Sequence, residues 1–301
     1  MPHGWNWTDC CSGSSTRTSP TKCIMFRGED TIHVDGQPGD AALLAQLAPA
    51  WRFGDHLFET IRVTSDGRVP LARLHRARMA SAAARALLPW PGDEAWREAC
   101  LAPLGPGDAV RGLRVHLLPC IENPERGRFI SYVLPWSPPV RAWEKGVALH
   151  VASIPHPGHG PWGKSGSYMW ARIARREAAE FGAQEALMLR PGGEVVEAAS
   201  AALLWREGQA LCTCRQEAGG LESTTLAALR ALDVPVEGVR APLLRLRRAD
   251  AVYLLSSLQL VVPVVRLTET GSHPTMWPVS PEAATLRGLL EDLSELPGTG
   301  V

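Results

Sequence analysis

The chain has 301 residues, 45% of them hydrophobic and 21% charged, which are ordinary values for a globular protein of one or two domains. Its 31 basic and 31 acidic residues cancel, so no charge footprint points to nucleic acid or to an anionic membrane surface. No stretch approaches the ~20 apolar residues that span a bilayer.

The opening MPHGWNWTDCCSGSSTRTSPTKC is Ser/Thr-rich and aperiodic, and it lacks the charged head and apolar run of a signal peptide. Residues 1–25 therefore read as a loose extension and the chain as cytoplasmic. Seven cysteines, an odd number without a secretory leader, argue against a disulfide framework. Cys212 and Cys214 face the same way on a predicted strand and read as small buried hydrophobes.

Two short strand-like runs occupy CIMFRGEDTIHVDGQ from Cys23, followed by a strand over 53–63 and a hairpin-turn signal, SDGR, at 65–68. The alanine-rich stretch 70–88 has helical spacing, and a second helix over GDEAWREACLAPL has Asp93 placed to cap it. Strands are predicted over 110–120 and 127–136, then a proline-bearing polar connection, SPPVRAWEKG, at 137–146. After a strand over 147–154 comes a Gly/His loop, then a helix from about Tyr168 to Phe181 that stops at Gly182. EALML-RPGG-EVVEAASAALLW reads as a hairpin, and helices near 222–232 and 281–294 flank one buried strand, AVYLLSSLQLVVPVV. The interleaving of strands and helices in two halves predicts a two-domain α/β or α+β protein. The boundaries are an extension over 1–25, an N-terminal domain over 26–136, a linker over 137–146 and a C-terminal domain over 147–301.

Only three of the 31 basic residues are lysines: Lys22, Lys145 and Lys164. Arginine cannot lose its proton in a protein, whereas a lysine buried or set beside positive charge can. A site that needs a free amine to attack a carbonyl therefore keeps lysine. Lys164 ends a loop ahead of a helix, with Tyr168 four residues on and Glu197 on the return strand of the next hairpin. Taken singly, a surface lysine, a strand carboxylate and a helix-surface arginine at Arg78 are the commoner readings; their ordered spacing favours a shared site.

These residues carry a resemblance. FGDHLFETIRVTSDGRVPLARLHRARM, GKSGSYMWARIARREAAEFGAQEALMLRPGGEVVE and ADAVYLLSSLQLVVPVV follow one another as in the class IV (fold-type IV) pyridoxal-phosphate enzymes, over roughly residues 30 to 293. That family includes branched-chain and D-amino acid aminotransferases and aminodeoxychorismate lyase, whose wording is the most similar. The resemblance implies a cofactor cleft between a smaller N-terminal and a larger C-terminal domain, and pyridoxal 5'-phosphate bound as a Schiff base to Lys164, which also shuttles the substrate α proton. It implies that Glu197 pairs with the pyridine nitrogen, Arg78 with the phosphate and Tyr168 with the ring oxygen. The N–H groups of Thr224 and Thr225 would cup the phosphate at a helix start, where a simple helix cap is an equal alternative, and Ser257 would place a hydroxyl nearby. A homodimer acting on a small-molecule amino substrate is implied too.

Departures bear on the reaction. His56 replaces a glycine of the family's G-D-G, Ala201-Ala202 replace Ser-Asn, Ser223 and Leu226 alter the phosphate turn, and Ser256-Ser257 replace Asn-Ser. Pro119-Cys120 stand where lyases carry a substrate-binding arginine, for which Arg114 is the candidate substitute and His56 a second pocket candidate. His156 and His159, in a Pro/Gly loop, read as solvent-exposed rather than metal-binding, with His159 at the pocket mouth as the alternative. Trp162 reads as packing or a pocket wall. The expected function is a lyase that eliminates pyruvate to give p-aminobenzoate. The alternatives are an aminotransferase on a D- or branched-chain amino acid and a non-catalytic binding protein.

Overall fold

The computed structural model describes residues 32–39, 48–105, 109–120, 123, 125–160 and 163–293, and these described residues belong to one compact unit. The expected extension over 1–25, its three cysteines and Trp162 lie outside the described residues.

Among the described residues the strands form two sheets. The first has the order β2-β1-β5-β4-β3, built from β1 (His33–Val34), β2 (Gln37–Pro38), β3 (Leu57–Val63), β4 (Arg111–Pro119) and β5 (Gly127–Leu134). Strand β3 is rich in aromatic and β-branched residues, and its pleat sends Leu57, Ile61 and Val63 into one core. Helices α2 (Ala72–Arg85) and α3 (Asp93–Leu101) cover that core with Met79, Ala82, Trp96 and Ala99. A short helix, α1 (Ala48–Phe53), precedes β3. The SDGR turn closes with Thr64 and Arg68, but it leads into α2 and not into a return strand; β3 pairs with β4 instead, Thr60 opposite Arg114. Asp93 is the first residue of its helix and not the cap, because Gly92 holds that position and the Asp93 carboxylate accepts from Arg76 at 2.5 Å.

The stretch 137–146 carries a helix, α4 (Val140–Lys145), and the chain then enters the nine-stranded sheet. Its strands are β6 (Val147–Val151), β7 (Glu185–Leu189), β8 (Val195–Ala198), β9 (Ala202–Glu207), β10 (Ala210–Cys214), β11 (Val236–Val239), β12 (Ala251–Ser256), β13 (Leu260–Thr268) and β14 (Thr275–Met276). Their order is β11-β10-β9-β12-β13-β6-β7-β8, with β14 on β13, and the β6 pairs with β7 and β13 are parallel. The apolar run 251–265 is two strands and not one: Ser256 lies opposite Leu260 in a tight reversal. A continuous apolar run signals burial on both faces and is blind to chain direction. Cys212 joins the main core of this sheet and Cys214 packs against it; both are free thiols.

Helix α5 (Met169–Glu180) buries Ala171, Ala174 and Ala178 against the sheet, while Met169 and Ile173 stay exposed. Its end is a left-handed turn at Gly182 (φ +67°), where Gly182 donates to Ala179 and Ala183 to Ala178. Helices α6 (Thr224–Ala231), α7 (Leu243–Arg247) and α8 (Glu282–Asp292) complete the fold, and Leu226, Leu229, Leu286 and Leu290 share one core.

Candidate active site

A cleft of about 470 Å³ lies between the two sheets and is lined by Phe58, Arg78, Arg114, Lys164, Tyr168 and Glu197, among others. The pleat explains the first contributions. Leu57 and Ile61 face the core of the five-stranded sheet, so Phe58 and Thr60 face the cleft, with Arg114 opposite Thr60.

Lys164 reaches the cleft because its loop is stitched to the free edge of β3. Phe58 N–H donates to the Lys164 carbonyl at 2.9 Å, Gly166 N–H donates to His56 O at 2.7 Å, and Leu57 bridges Ser165. The close approach requires glycine at 166, where a Cβ would lie 2.1 Å from the His56 ring. Lys164 Nζ stands 4.5 Å from the Phe58 ring centre and 3.5 Å from the Tyr168 hydroxyl. Burial, then the charges of Arg78 and Arg114, lower its pKa from 10.5 to about 7 against the opposing pull of Glu59. The same burial pushes the Tyr168 phenol well above its ordinary value.

Glu197 sits on β8, 7% exposed. Its Oε1 accepts from His156 Nε2 at 3.0 Å and from His159 Nε2 at 2.5 Å, and its Oε2 accepts from Leu221 N–H at 2.9 Å. Burial alone would raise its pKa; the two imidazole hydrogen bonds outweigh it and hold the carboxyl at about 2. His156 and His159 are therefore not solvent-exposed, being 4% and 7% accessible, because the loop folds onto the β8 carboxylate. Ligand atoms of the three lie within 4.8 Å of one another, a span that a metal ion could bridge, yet both Nε2 atoms are occupied as donors to one carboxylate oxygen.

Arg78 is held by a partner the sequence reading left without a role. Glu59, 1% exposed, accepts from Arg78 Nε at 2.7 Å and from Nη2, while Nη1 donates to the Glu222 carbonyl at 2.5 Å. Glu59 also meets His75 Nδ1 at 2.7 Å, and His75 Nε2 lies 3.3 Å from Ser257 Oγ and 3.5 Å from Thr224 Oγ1. One buried chain of contacts thus joins Arg78, Ser257 and Thr224. Glu59 was legible in principle, since it is a carboxylate in a register otherwise held by Leu57, Ile61 and Val63.

Ser223 and not a threonine caps α6, its Oγ accepting from Leu226 N–H at 3.2 Å. Thr224 and Thr225 are buried on the cleft wall, and no hydrogen bond of their N–H groups is found among the described residues. Arg114 lies 4.7 Å from the Phe58 ring centre, with its Nε buried and unpartnered among the described residues. His56 does not line the cleft; its ring packs with Trp51 and His116 and fills the space beside Gly166.

The model of the family described as amino-transferase class IV matches residues 56–267, well over half of the chain. A hypothetical aminotransferase from Mycobacterium tuberculosis, in an alpha-ketoglutarate and PMP bound form, superposes with a TM-score of 0.75 at 25% identity, covering 87% of this chain and 98% of that one. A fold IV-transaminase from Curtobacterium pusillum gives 0.68 at 26% identity, with coverage of 82% and 88%. A 4-amino-4-deoxychorismate lyase from Pseudomonas aeruginosa gives 0.70 at 24% identity, with coverage of 87% and 98%.

Proposed function

The chain belongs to the class IV aminotransferase family, whose members depend on pyridoxal 5'-phosphate, and from that premise we propose that it acts at the α-carbon of a small amino compound bearing a carboxylate. One observation carries the reading: a single cleft holds an amine with a pKa of about 7 together with a carboxylate at about 2. Paired groups pushed apart in this way are what proton transfer at neutral pH needs.

The donor set fits the cofactor. Lys164 would anchor it through Nζ, Glu197 would face its ring nitrogen and Tyr168 its ring oxygen. Arg78, the N–H groups of Thr224 and Thr225 at the start of α6, and Ser257 would hold its phosphate. Bound there, the cofactor supplies an electron sink for the pair left on the substrate's α-carbon.

The chain's own groups do the rest. Lys164 Nζ, poised near neutrality, takes up and returns the α proton. Glu197 stays anionic and so favours positive charge opposite it. Arg114, whose buried Nε lacks a partner among the described residues, pairs with a substrate carboxylate and so satisfies that donor. Phe58 and Tyr168 narrow the space around Nζ and exclude water from it.

Two reactions share these steps. Elimination of pyruvate from aminodeoxychorismate, giving p-aminobenzoate, is the first, supported by the wording FGDHLFETIRV and by tyrosine at lysine plus four. Transamination is the second, supported by the likeness to the Curtobacterium transaminase. A cytoplasmic homodimer is part of the same proposal.

Purified protein given pyridoxal 5'-phosphate should turn yellow, and borohydride should fix the cofactor on the peptide containing Lys164. A colourless protein that takes up no cofactor rules the proposal out. An amino acid donor bleaches the yellow band of a transaminase, whereas a lyase releases pyruvate from aminodeoxychorismate; neither response would exclude both substrates.

A further inference from the structure

The anchoring of Glu197 exceeds what a strand carboxylate needs. Two imidazoles and one backbone N–H converge on it, and all three come from loops rather than from the sheet that carries the glutamate. Both imidazoles are themselves fixed. Gly158 N–H donates to His156 Nδ1 at 2.9 Å, so that nitrogen bears no proton and Nε2 carries the one aimed at Glu197. The His156 ring stands edge-on to Trp170, 4.6 Å between centres. His159 is tied through its backbone N–H to Gly219 O at 3.2 Å, and its ring meets both Trp170 and Tyr168.

The remaining surroundings of Glu197 are of mixed sign. Lys164 and Tyr168 line the same cleft, while Cys214 on β10 and Glu185 on β7 interact electrostatically with Glu197. Among these, Lys164 is the basic group, and its charge is marginal at neutral pH. The work of keeping the carboxylate ionised therefore falls on the two histidines and the Leu221 N–H.

We propose that His156 and His159 are positioning residues that hold the Glu197 carboxylate anionic and aimed into the cleft, and so set how firmly the cofactor's ring nitrogen keeps its proton. The inference rests on the reading of Glu197 as the partner of that nitrogen. Without the two donors the carboxylate becomes the stronger base and draws the ring proton towards itself. A less positive ring leaves the Lys164 nitrogen more basic, so the direction of the effect is defined.

The test is a pH titration of the visible band of the cofactor-loaded enzyme, with cofactor retention measured by dialysis. The double variant His156→Phe/His159→Phe keeps ring volume and removes both donors. Its midpoint should move upward by about one pH unit, and it should lose cofactor about tenfold more readily. His159→Gln, whose amide can donate from a similar position, should restore most of both properties alongside wild-type His156. A double variant that titrates and retains cofactor like the wild type, while Glu197→Gln shifts the band, overturns the inference and leaves the Glu197 reading standing. A Glu197→Gln enzyme with an unchanged band overturns the Glu197 reading itself. Should the phenylalanine variant fail to fold, the 15N signals of the wild-type imidazoles decide: protonated Nε2 on both rings from pH 6 to 9 supports the inference, and an unprotonated Nε2 on either ring refutes it.

Discussion

Lys164 Nζ stands 4.5 Å from the face of Phe58 and 4.9 Å from that of Tyr168, with the arginine charges of 78 and 114 beside it. The aromatic faces attract its positive form, but dehydration and like charge outweigh them. Its pKa of about 7 lies below the 10.5 of the free side chain, so between those values the unfolded chain binds the extra proton. Stability of the cofactor-free protein should therefore rise with pH through that window. Replacing Lys164 with Met should remove this rise, stabilise the cofactor-free protein at pH 7 by about 0.5–2 kcal/mol, and abolish borohydride trapping. Denaturant unfolding at pH 7 and pH 9 measures the first two effects. At this scale the lowered pKa of Lys164 agrees with a reading open to sequence, because an amine that can lose its proton cannot be replaced by arginine. The exposure of His156 and His159 was not, since Pro/Gly-rich loop wording is silent about which buried carboxylate the loop folds over.

The loop from β6 to α5 shows how one element is built around one contact. It docks on the β3 edge through Phe58 N–H and Gly166 N–H, and the His56 ring occupies the space where a side chain at 166 would begin. Gly166→Ala should cost about 1–3 kcal/mol by overpacking and displace Lys164, seen as weaker cofactor retention. His56→Gly in that background should recover part of the loss, so the two changes should be clearly non-additive in a thermal or denaturant cycle. Strictly additive losses would mean that the ring is not the obstruction. Helix and strand identities came largely from periodicity, as with α2 and β4. Chain direction and element ends are where periodicity is silent. The run 251–265 contains its own reversal at Ser256 and Leu260, the 65–68 turn feeds a helix, and the polar stretch 137–146 carries a helix of its own.

Across the whole molecule, two buried carboxylates from different sheets share one behaviour. Glu59, held by Arg78 and His75, and Glu197, held by His156 and His159, both have pKa values lowered from 4.5 to about 2. A depressed acid contributes stability that is complete above its unfolded pKa and is lost as pH falls through the folded one. The window for these two is therefore about 4.5 down to 2. Unfolding in urea at stepped pH should show a steep fall over that range, and Glu197→Gln should reduce the proton uptake on unfolding by about one. An unchanged slope would mean that Glu197 is not depressed in the folded chain.

The sequence by itself determined the alternation of strands and helices, the family resemblance and the identities of the residues that now line one cleft, because periodicity and residue chemistry are local properties. It did not determine which partners those residues meet. Arg78 is bound to Glu59 across 19 positions, Glu197 to His156 across 41, and Thr224 approaches His75 across 149. Such pairings depend on how two sheets and a loop pack in three dimensions. The lowered pKa values of Lys164 and Glu197 arise from that packing, through burial and neighbouring charge that no linear spacing encodes.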